Sequence, residues 1–228
     1  MARLRSPEGC PWDREQTYES LLPYLLEESY EYIQAVREDD PDHMYDELGD
    51  VLLQVVFHAE IGRQHGDFDI LDVTTAICHK MMERHSHIFG GASADTPEEV
   101  AQNWEAIKRR QRGITTAQQA MRDVSKGLSP TMRAGKVQQK AARAGYVFPE
   151  AEDALQAVRN AAVKVGETMN RKRDPEKALG EMLFDAVNVT RLCGKSADIA
   201  LNEATDRFID RFSTAETATN AAKNVPNT

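Results

Sequence analysis

Glu27-Glu28-Ser29-Tyr30-Glu31 is followed, 15 residues later, by Glu47-Leu48-Gly49-Asp50-Val51-Leu52-Leu53-Gln54-Val55-Val56-Phe57, and this stretch decides how the chain is read. Glu28 and Glu31 are three residues apart, as are Glu47 and Asp50, and on a helix each pair shares a face. Leu21, Tyr24 and Leu25 form an apolar stripe that Glu28 and Glu31 continue at steps of three and four. The run Val51–Phe57 is apolar nearly all round and predicts a central buried helix, down which Glu47, Asp50, Gln54 and His58 form one narrow line. Packed antiparallel, two such helices converge four carboxylates on one small volume. Anions share a partly buried volume only when a cation joins them, and hard divalent cations such as Mg²⁺ prefer oxygen ligands. The pattern points to metal-assisted chemistry on a phosphate-bearing substrate. A merely solvated acidic face is the plainer reading of glutamates at helical spacing, and the apolar residues framing these acids weigh against it.

At 228 residues the chain can hold one large domain or two of about a hundred residues each. Charged residues make up 29% and the net charge is −9. Such an acidic chain is a poor partner for a nucleic-acid polymer, though not for a single nucleotide delivered with its metal. No apolar run is long enough to span a membrane, and Met1 to Ser6 carries no signal-peptide core. Cys10, Cys78 and Cys193 lie far apart, make no zinc or disulfide pattern, and suit a reducing cytoplasm.

Strand signals are almost absent, so the expected fold class is all-α. Helices are expected at about 14–36, 42–64, 69–86 and 97–112, with Pro23 marking a kink or a new helical turn in the first. Asp40-Pro41-Asp42 is a turn and cap signal, and Thr96-Pro97-Glu98-Glu99 reads as a capping box. Residues 113–130, with Gly113, Gly127 and Pro130, read as a linker. Helices resume at about 131–144, 151–169, 174–194 and 197–213, and residues 214–228 read as a disordered tail. Leu48-Gly49-Asp50-Val51-Leu52 aligns with Leu179-Gly180-Glu181-Met182-Leu183 at an offset of 131, as an internal repeat would. The acids do not repeat: Glu28 corresponds to Arg159, Glu31 to Ala162 and Glu47 to Ala178, and only Asp50 keeps an acid, as Glu181.

The acidic motifs, together with Gly9-Cys10-Pro11-Trp12-Asp13-Arg14-Glu15-Gln16-Thr17 ahead of them, resemble the MazG family of nucleoside triphosphate pyrophosphohydrolases. So do Glu83-Arg84-His85-Ser86-His87-Ile88-Phe89-Gly90, with Ser86 where the family usually carries proline, and Asn103-Trp104-Glu105 with Lys108. The resemblance covers essentially the whole chain, because MazG proteins often hold two tandem copies of the domain. It implies an all-α fold whose helices form a four-helix-type bundle across a homodimer. On this reading residues 1–112 are the catalytic copy and 131–213 a degenerate one. The chain opens directly on the first motif, so a short leading segment is expected ahead of it.

The resemblance also implies Mg²⁺-dependent (or Mn²⁺-dependent) hydrolysis of nucleoside triphosphates to the monophosphate and pyrophosphate, with a role in nucleotide-pool house-cleaning. Glu28, Glu31, Glu47 and Asp50 are then the metal ligands, and Glu27 or Glu31 takes a proton from the attacking water. Lys80 and Arg84, on the stripe begun by Ile70 and Val73, are either a solvated edge or, with MazG carrying basic residues here, a grip on the phosphates. Trp104, on the stripe Val100-Trp104-Ile107, either packs in the core or stacks on the nucleobase with Lys108 one turn on. His85 and His87 are poor metal candidates. A carboxylate-bridged iron bundle would require Glu-x-x-His, which neither acidic helix carries. A non-catalytic dimerisation or regulatory module, and a narrower dUTP or dCTP pyrophosphatase, remain the alternatives.

Overall fold

A computed structural model describes residues 1–148 and 150–223, with side chains described to residue 212. The described residues form eleven helices and no strand, so the all-α expectation holds. The chain divides into two compact units, the first Met1–Ile107 and the second beginning at Lys108.

The first unit contains α1 (Pro11–Glu15), α2 (Tyr18–Glu38), α3 (Pro41–His65), α4 (Ile70–Arg84), α5 (Ser86–Phe89) and most of α6 (Pro97–Gln111). The helix expected from residue 14 begins instead at Tyr18. Thr17 takes an extended conformation and exchanges hydrogen bonds with Ser20, a reciprocal cap that starts α2 there and leaves α1 as a separate turn. α2 runs on through Pro23. The cap expected at Thr96 forms as well: Glu99 accepts from the Thr96 backbone and donates its own N–H to the Thr96 hydroxyl.

Only Asp39 and Asp40 separate α2 from α3. Asp39 ends α2 in the left-handed region at φ 55°, which an aspartate tolerates better than most residues. Asp40 starts α3 by accepting from the backbone N–H groups of Asp42 and His43 at 3.1 and 3.2 Å, and Pro41 fills the first helical position, where no N–H is needed. The result is a tight antiparallel hairpin.

Leu21, Phe57 and Ile61 are the buried apolar cluster of this hairpin, with Met1 and Tyr18 packed against it. Burial of each large side chain contributes about 1.5–3 kcal/mol. Arg5 fastens the N-terminal segment over the cluster: it donates to Gln64 at 3.0 Å and to the Gln16 carbonyl at 3.1 Å, and lies above the Phe57 ring. Gly62 is obligatory where α3 meets the following turn, since a Cβ there would lie 2.8 Å from the Phe68 carbonyl oxygen and 2.9 Å from its ring. Nearby, Arg63 holds the buried Glu60 carboxylate by two hydrogen bonds of 2.9 and 2.7 Å. That interaction, outweighing burial, keeps the Glu60 carboxyl below the usual carboxylate range.

Burial of the whole run Val51–Phe57 is not observed. Within it only Gln54 and Phe57 are buried, while Leu52 is 59% exposed and Leu53 and Val55 are exposed too. Leu22 and Leu26 on α2 and Leu48 on α3 are likewise exposed, Leu26 at 61%. A two-helix hairpin can cover only one stripe of each helix, so an all-round apolar helix keeps its second stripe uncovered within one chain.

The second unit contains α7 (Ala117–Arg122), α8 (Pro130–Arg143), α9 (Ala151–Asn170), α10 (Glu176–Leu192) and α11 (Ala197–Lys223). The stretch read as a linker therefore includes a helix, α7, started by a reciprocal Thr116–Gln119 cap and packed on α8, with Ala120 buried. α11 continues past residue 213, and the end of the expected tail, 224–228, lies outside the described residues. α9 and α10 form the main helix pair of this unit, with Ala154, Ala161 and Val187 buried. Gln138 of α8, fully buried, donates to the Phe184 carbonyl at 2.8 Å, and Arg191 donates to the buried Asn188.

Two stability measurements follow. Asp40→Ala removes both cap bonds at the hairpin turn, an expected loss of about 1 kcal/mol and a thermal midpoint lower by about 2–4 °C by circular dichroism. The depressed Glu60 carboxyl stabilises the fold above the unfolded carboxylate range, and this contribution is lost as pH falls through the folded value. Urea midpoints measured between about pH 5 and pH 3 should therefore fall less steeply in Glu60→Gln than in the parent.

Candidate metal centre

The hairpin turn sets which acids face each other. Glu28 precedes Asp39 by eleven residues and Asp50 follows it by eleven; Glu31 and Glu47 are each eight away. In an antiparallel pair folded at Asp39, positions at equal distance from the turn come level. At 1.5 Å per residue these two levels lie about 16 and about 12 Å from the turn. The structure brings oxygens of Glu28, Glu47 and Asp50 within 4.8 Å of one another.

Glu28 and Glu47 are half-buried in this cluster and Asp50 is exposed. The Glu28 carboxyl is raised above its ordinary value, first by burial and then by the negative charges of Asp50, Glu31, Glu47 and Glu27. Glu31 therefore lies close enough to act electrostatically on Glu28, although the three-residue cluster does not include it. Glu27 is exposed beside Glu28. One oxygen of Glu47, Oε2, is buried with no hydrogen-bond partner, while Oε1 lies 3.0 Å from His43 Nε2.

This donor set suits a hard divalent cation. All the donors are carboxylate oxygens, the ligand type taken by Mg²⁺ and Mn²⁺. Oxygens around an octahedral Mg²⁺ stand about 3–4.2 Å apart, so a span of 4.8 Å closes with a small side-chain adjustment. The partnerless Oε2 of Glu47 and the crowding that raises Glu28 are both relieved by a cation at this point.

The cations and aromatics expected to bind substrate lie on α4 and α6. Lys80 is exposed and Arg84 half-buried, with its Nε lacking a hydrogen-bond partner. Trp104 of α6 meets His85 edge-on, with ring centroids 4.8 Å apart, and its indole N–H is buried without a partner. His85 is occupied locally, its Nδ1 2.7 Å from the Met81 carbonyl. Lys108, one turn beyond Trp104, falls in the second unit.

Two features escaped the sequence reading. The His43–Glu47 contact was signalled only by a histidine four residues ahead of a candidate ligand. The second is the set of contacts made by the polar line below the acids. Gln54 is buried, His58 Nδ1 lies 2.8 Å from the Gln54 carbonyl, and Tyr18 stacks on the His58 ring at 6.0 Å.

The MazG nucleotide pyrophosphohydrolase domain matches residues 16–89, which contain the whole α2–α3 hairpin and α4. The nucleoside triphosphate pyrophosphohydrolase of Escherichia coli strain K12 is 38% identical over 228 residues, covering 95% of this chain and 84% of that protein. The nucleoside triphosphate pyrophosphohydrolase/pyrophosphatase MazG of Thermotoga maritima is 38% identical over 216 residues, covering 95% and 82%. A nucleoside triphosphate pyrophosphohydrolase of Mycobacterium tuberculosis is 32% identical over 202 residues, covering 88% and 58%.

The crowding at Glu28 has a measurable consequence. Each like-charge pair at this spacing costs about 1 kcal/mol in a water-like dielectric. Glu28→Gln should thus raise the metal-free thermal midpoint at neutral pH by about 2–4 °C. The same variant should lose the stabilisation that added Mg²⁺ gives the parent, and calorimetry with and without the cation reads both changes.

Proposed function

The chain belongs to the MazG family of nucleoside triphosphate pyrophosphohydrolases, and on that premise we propose that its first unit hydrolyses nucleoside triphosphates with Mg²⁺ held by Glu28, Glu31, Glu47 and Asp50. The products are the nucleoside monophosphate and pyrophosphate. The observation that carries the assignment is the convergence of Glu28, Glu47 and Asp50 from two helices onto one point, held in register by a two-residue turn. Mn²⁺ suits the same oxygen donors.

When bound, the cation neutralises phosphate charge and lowers the pKa of a coordinated water. The chain supplies the rest. Glu28, Glu47 and Asp50, with Glu31 alongside, would hold that cation, which would supply the attraction for the triphosphate. Glu27 or Glu31 accepts the proton released as water attacks the α-phosphorus, and the bond from that phosphorus to the bridging oxygen breaks as pyrophosphate leaves. Lys80 and Arg84 of α4 balance the charge of the departing phosphates. Trp104 offers its indole face to the base.

The second unit we read as a decayed copy with a supporting role. Shifted by 131 residues, α2 and α3 would span 149–169 and 172–196, against the observed α9 (Ala151–Asn170) and α10 (Glu176–Leu192). The equivalents of Glu28, Glu31 and Glu47 there are Arg159, Ala162 and Ala178, so no comparable acid cluster can form. The exposed Leu22, Leu26, Leu48 and Leu52 support a homodimer in which a second chain completes a four-helix bundle around the acids. A house-cleaning role in the nucleotide pool fits an enzyme that turns triphosphates into monophosphates. Among the described residues no helix is long and apolar enough to cross a membrane.

Pyrophosphate release from a panel of nucleoside and deoxynucleoside triphosphates with Mg²⁺ tests this function. Turnover in the parent should fall by about a thousandfold or more in Glu47→Ala and Asp50→Asn, the scale of losing electrostatic stabilisation at the reacting phosphate. Glu181→Gln, in the second unit, should retain parent activity. A folded, Mg²⁺-supplied parent that releases pyrophosphate from no nucleotide would overturn the proposal.

A further inference from the structure

His43 is not among the acids of the cluster, yet it is the side chain that engages one of them from behind. Its Nε2 lies 3.0 Å from Oε1 of Glu47, one turn further along α3. On the other side, its Nδ1 lies 3.6 Å from Oε2 of Glu38, the last residue of α2. The imidazole therefore stands between two carboxylates, one from each arm of the hairpin. Its backbone is held as well, because the His43 N–H donates to the Asp40 side chain at 3.2 Å. The turn that sets the register of the acids thus also fixes the point from which this ring projects.

The two oxygens of Glu47 are consequently unlike. Oε1 is taken by the His43 ring, whereas Oε2 is buried and without a partner. The Glu47 side chain is only 14% exposed, so little water is available to swing it. A carboxylate held at one oxygen has lost most of its rotational freedom and presents the other oxygen in a fixed direction, the role of a supporting hydrogen bond behind a metal ligand.

We propose that His43 is a positioning residue for the metal centre: anchored through its backbone by Asp40 and flanked by Glu38, it ties down Oε1 of Glu47 and leaves Oε2 as the oxygen offered to the cation. The proposal rests on the reading of Glu28, Glu47 and Asp50 as a metal centre and adds how one of its ligands is aimed. It predicts that His43 governs the affinity for the cation even when no nucleotide is present. A glutamine can take over the same task, since Gln34 already donates to Glu38 across four residues of α2 at 2.7 Å.

Mn²⁺ titration of the nucleotide-free full-length chain, followed by electron paramagnetic resonance, tests it with the parent, His43→Ala, His43→Gln and Asp50→Asn. Thermal unfolding of each without metal reports the fold. His43→Ala should bind Mn²⁺ about ten- to a hundredfold more weakly, with the metal-free midpoint little changed, and His43→Gln should recover most of that loss. Should His43→Ala fail to fold, His43→Leu gives the same comparison, filling the ring's space without a donor. Parent-like affinity in the donor-free variant overturns the proposal. Equal weakness in His43→Gln and the donor-free variant overturns it too, because the loss would then come from packing alone. The metal-centre reading fails separately if the parent binds no Mn²⁺ or Asp50→Asn binds it as the parent does, and the positioning role falls with it.

Discussion

Like charges held close together are the constraint around which the first unit is built. Glu28 is surrounded by the negative charges of Asp50, Glu31, Glu47 and Glu27, and is partly buried among them. Such a cluster opposes folding in the absence of a cation, so it persists only where the surrounding fold holds it in place. The connection between α2 and α3 supplies that hold. With two residues in the turn, one in the left-handed region and one capping the next helix, the hairpin has little freedom to slip. A slip of one residue on either helix would turn the acids by about 100° and scatter them.

The opposing contributions lie toward the far end of the same hairpin. Leu21, Phe57 and Ile61 pack together, Arg5 fastens the N-terminal segment across them, and Glu60 is neutralised by Arg63. Repulsion is thus concentrated toward the turn and cohesion toward the open end. This division fits a site that tightens when a cation arrives, since the apolar cluster can keep the helices paired while the carboxylates adjust. It also accounts for the exposed leucines flanking the acids, which the hairpin cannot cover with its own residues.

The second unit also has a main helix pair, α9 and α10. Ala154 and Ala161 of α9 and Val187 of α10 are buried. At the positions that the proposed 131-residue offset pairs with Glu28, Glu31 and Glu47, the second unit has Arg159, Ala162 and Ala178. Two of its buried polar side chains make hydrogen bonds, Asn188 accepting from Arg191 and the Gln138 amide donating to the Phe184 carbonyl. Hairpin architecture and metal-binding chemistry are therefore separable: apolar spacing is enough for the first, whereas the second needs acids at matched distances from a short turn.

Helix type was legible because 3.6-residue periodicity is a local property, and the Thr96 and Asp40 caps were legible because capping is decided within four residues. Boundaries were less so: the Thr17–Ser20 cap and the short α7 have signals too brief to outweigh the polar stretches around them. Spacing marked Glu28, Glu31, Glu47 and Asp50 as candidates, since a helix face is set by residue number, and three of them, Glu28, Glu47 and Asp50, cluster. The chain's own sequence determined its all-helical class and the spacing of acid pairs on two helices. Only the tertiary structure decided which acids meet, that Leu48, Leu52, Leu53 and Val55 of α3 stay exposed, and that His43 lies against Glu47. Those outcomes depend on where two helices cross and how each side chain fills the space between them, and no local pattern encodes that geometry.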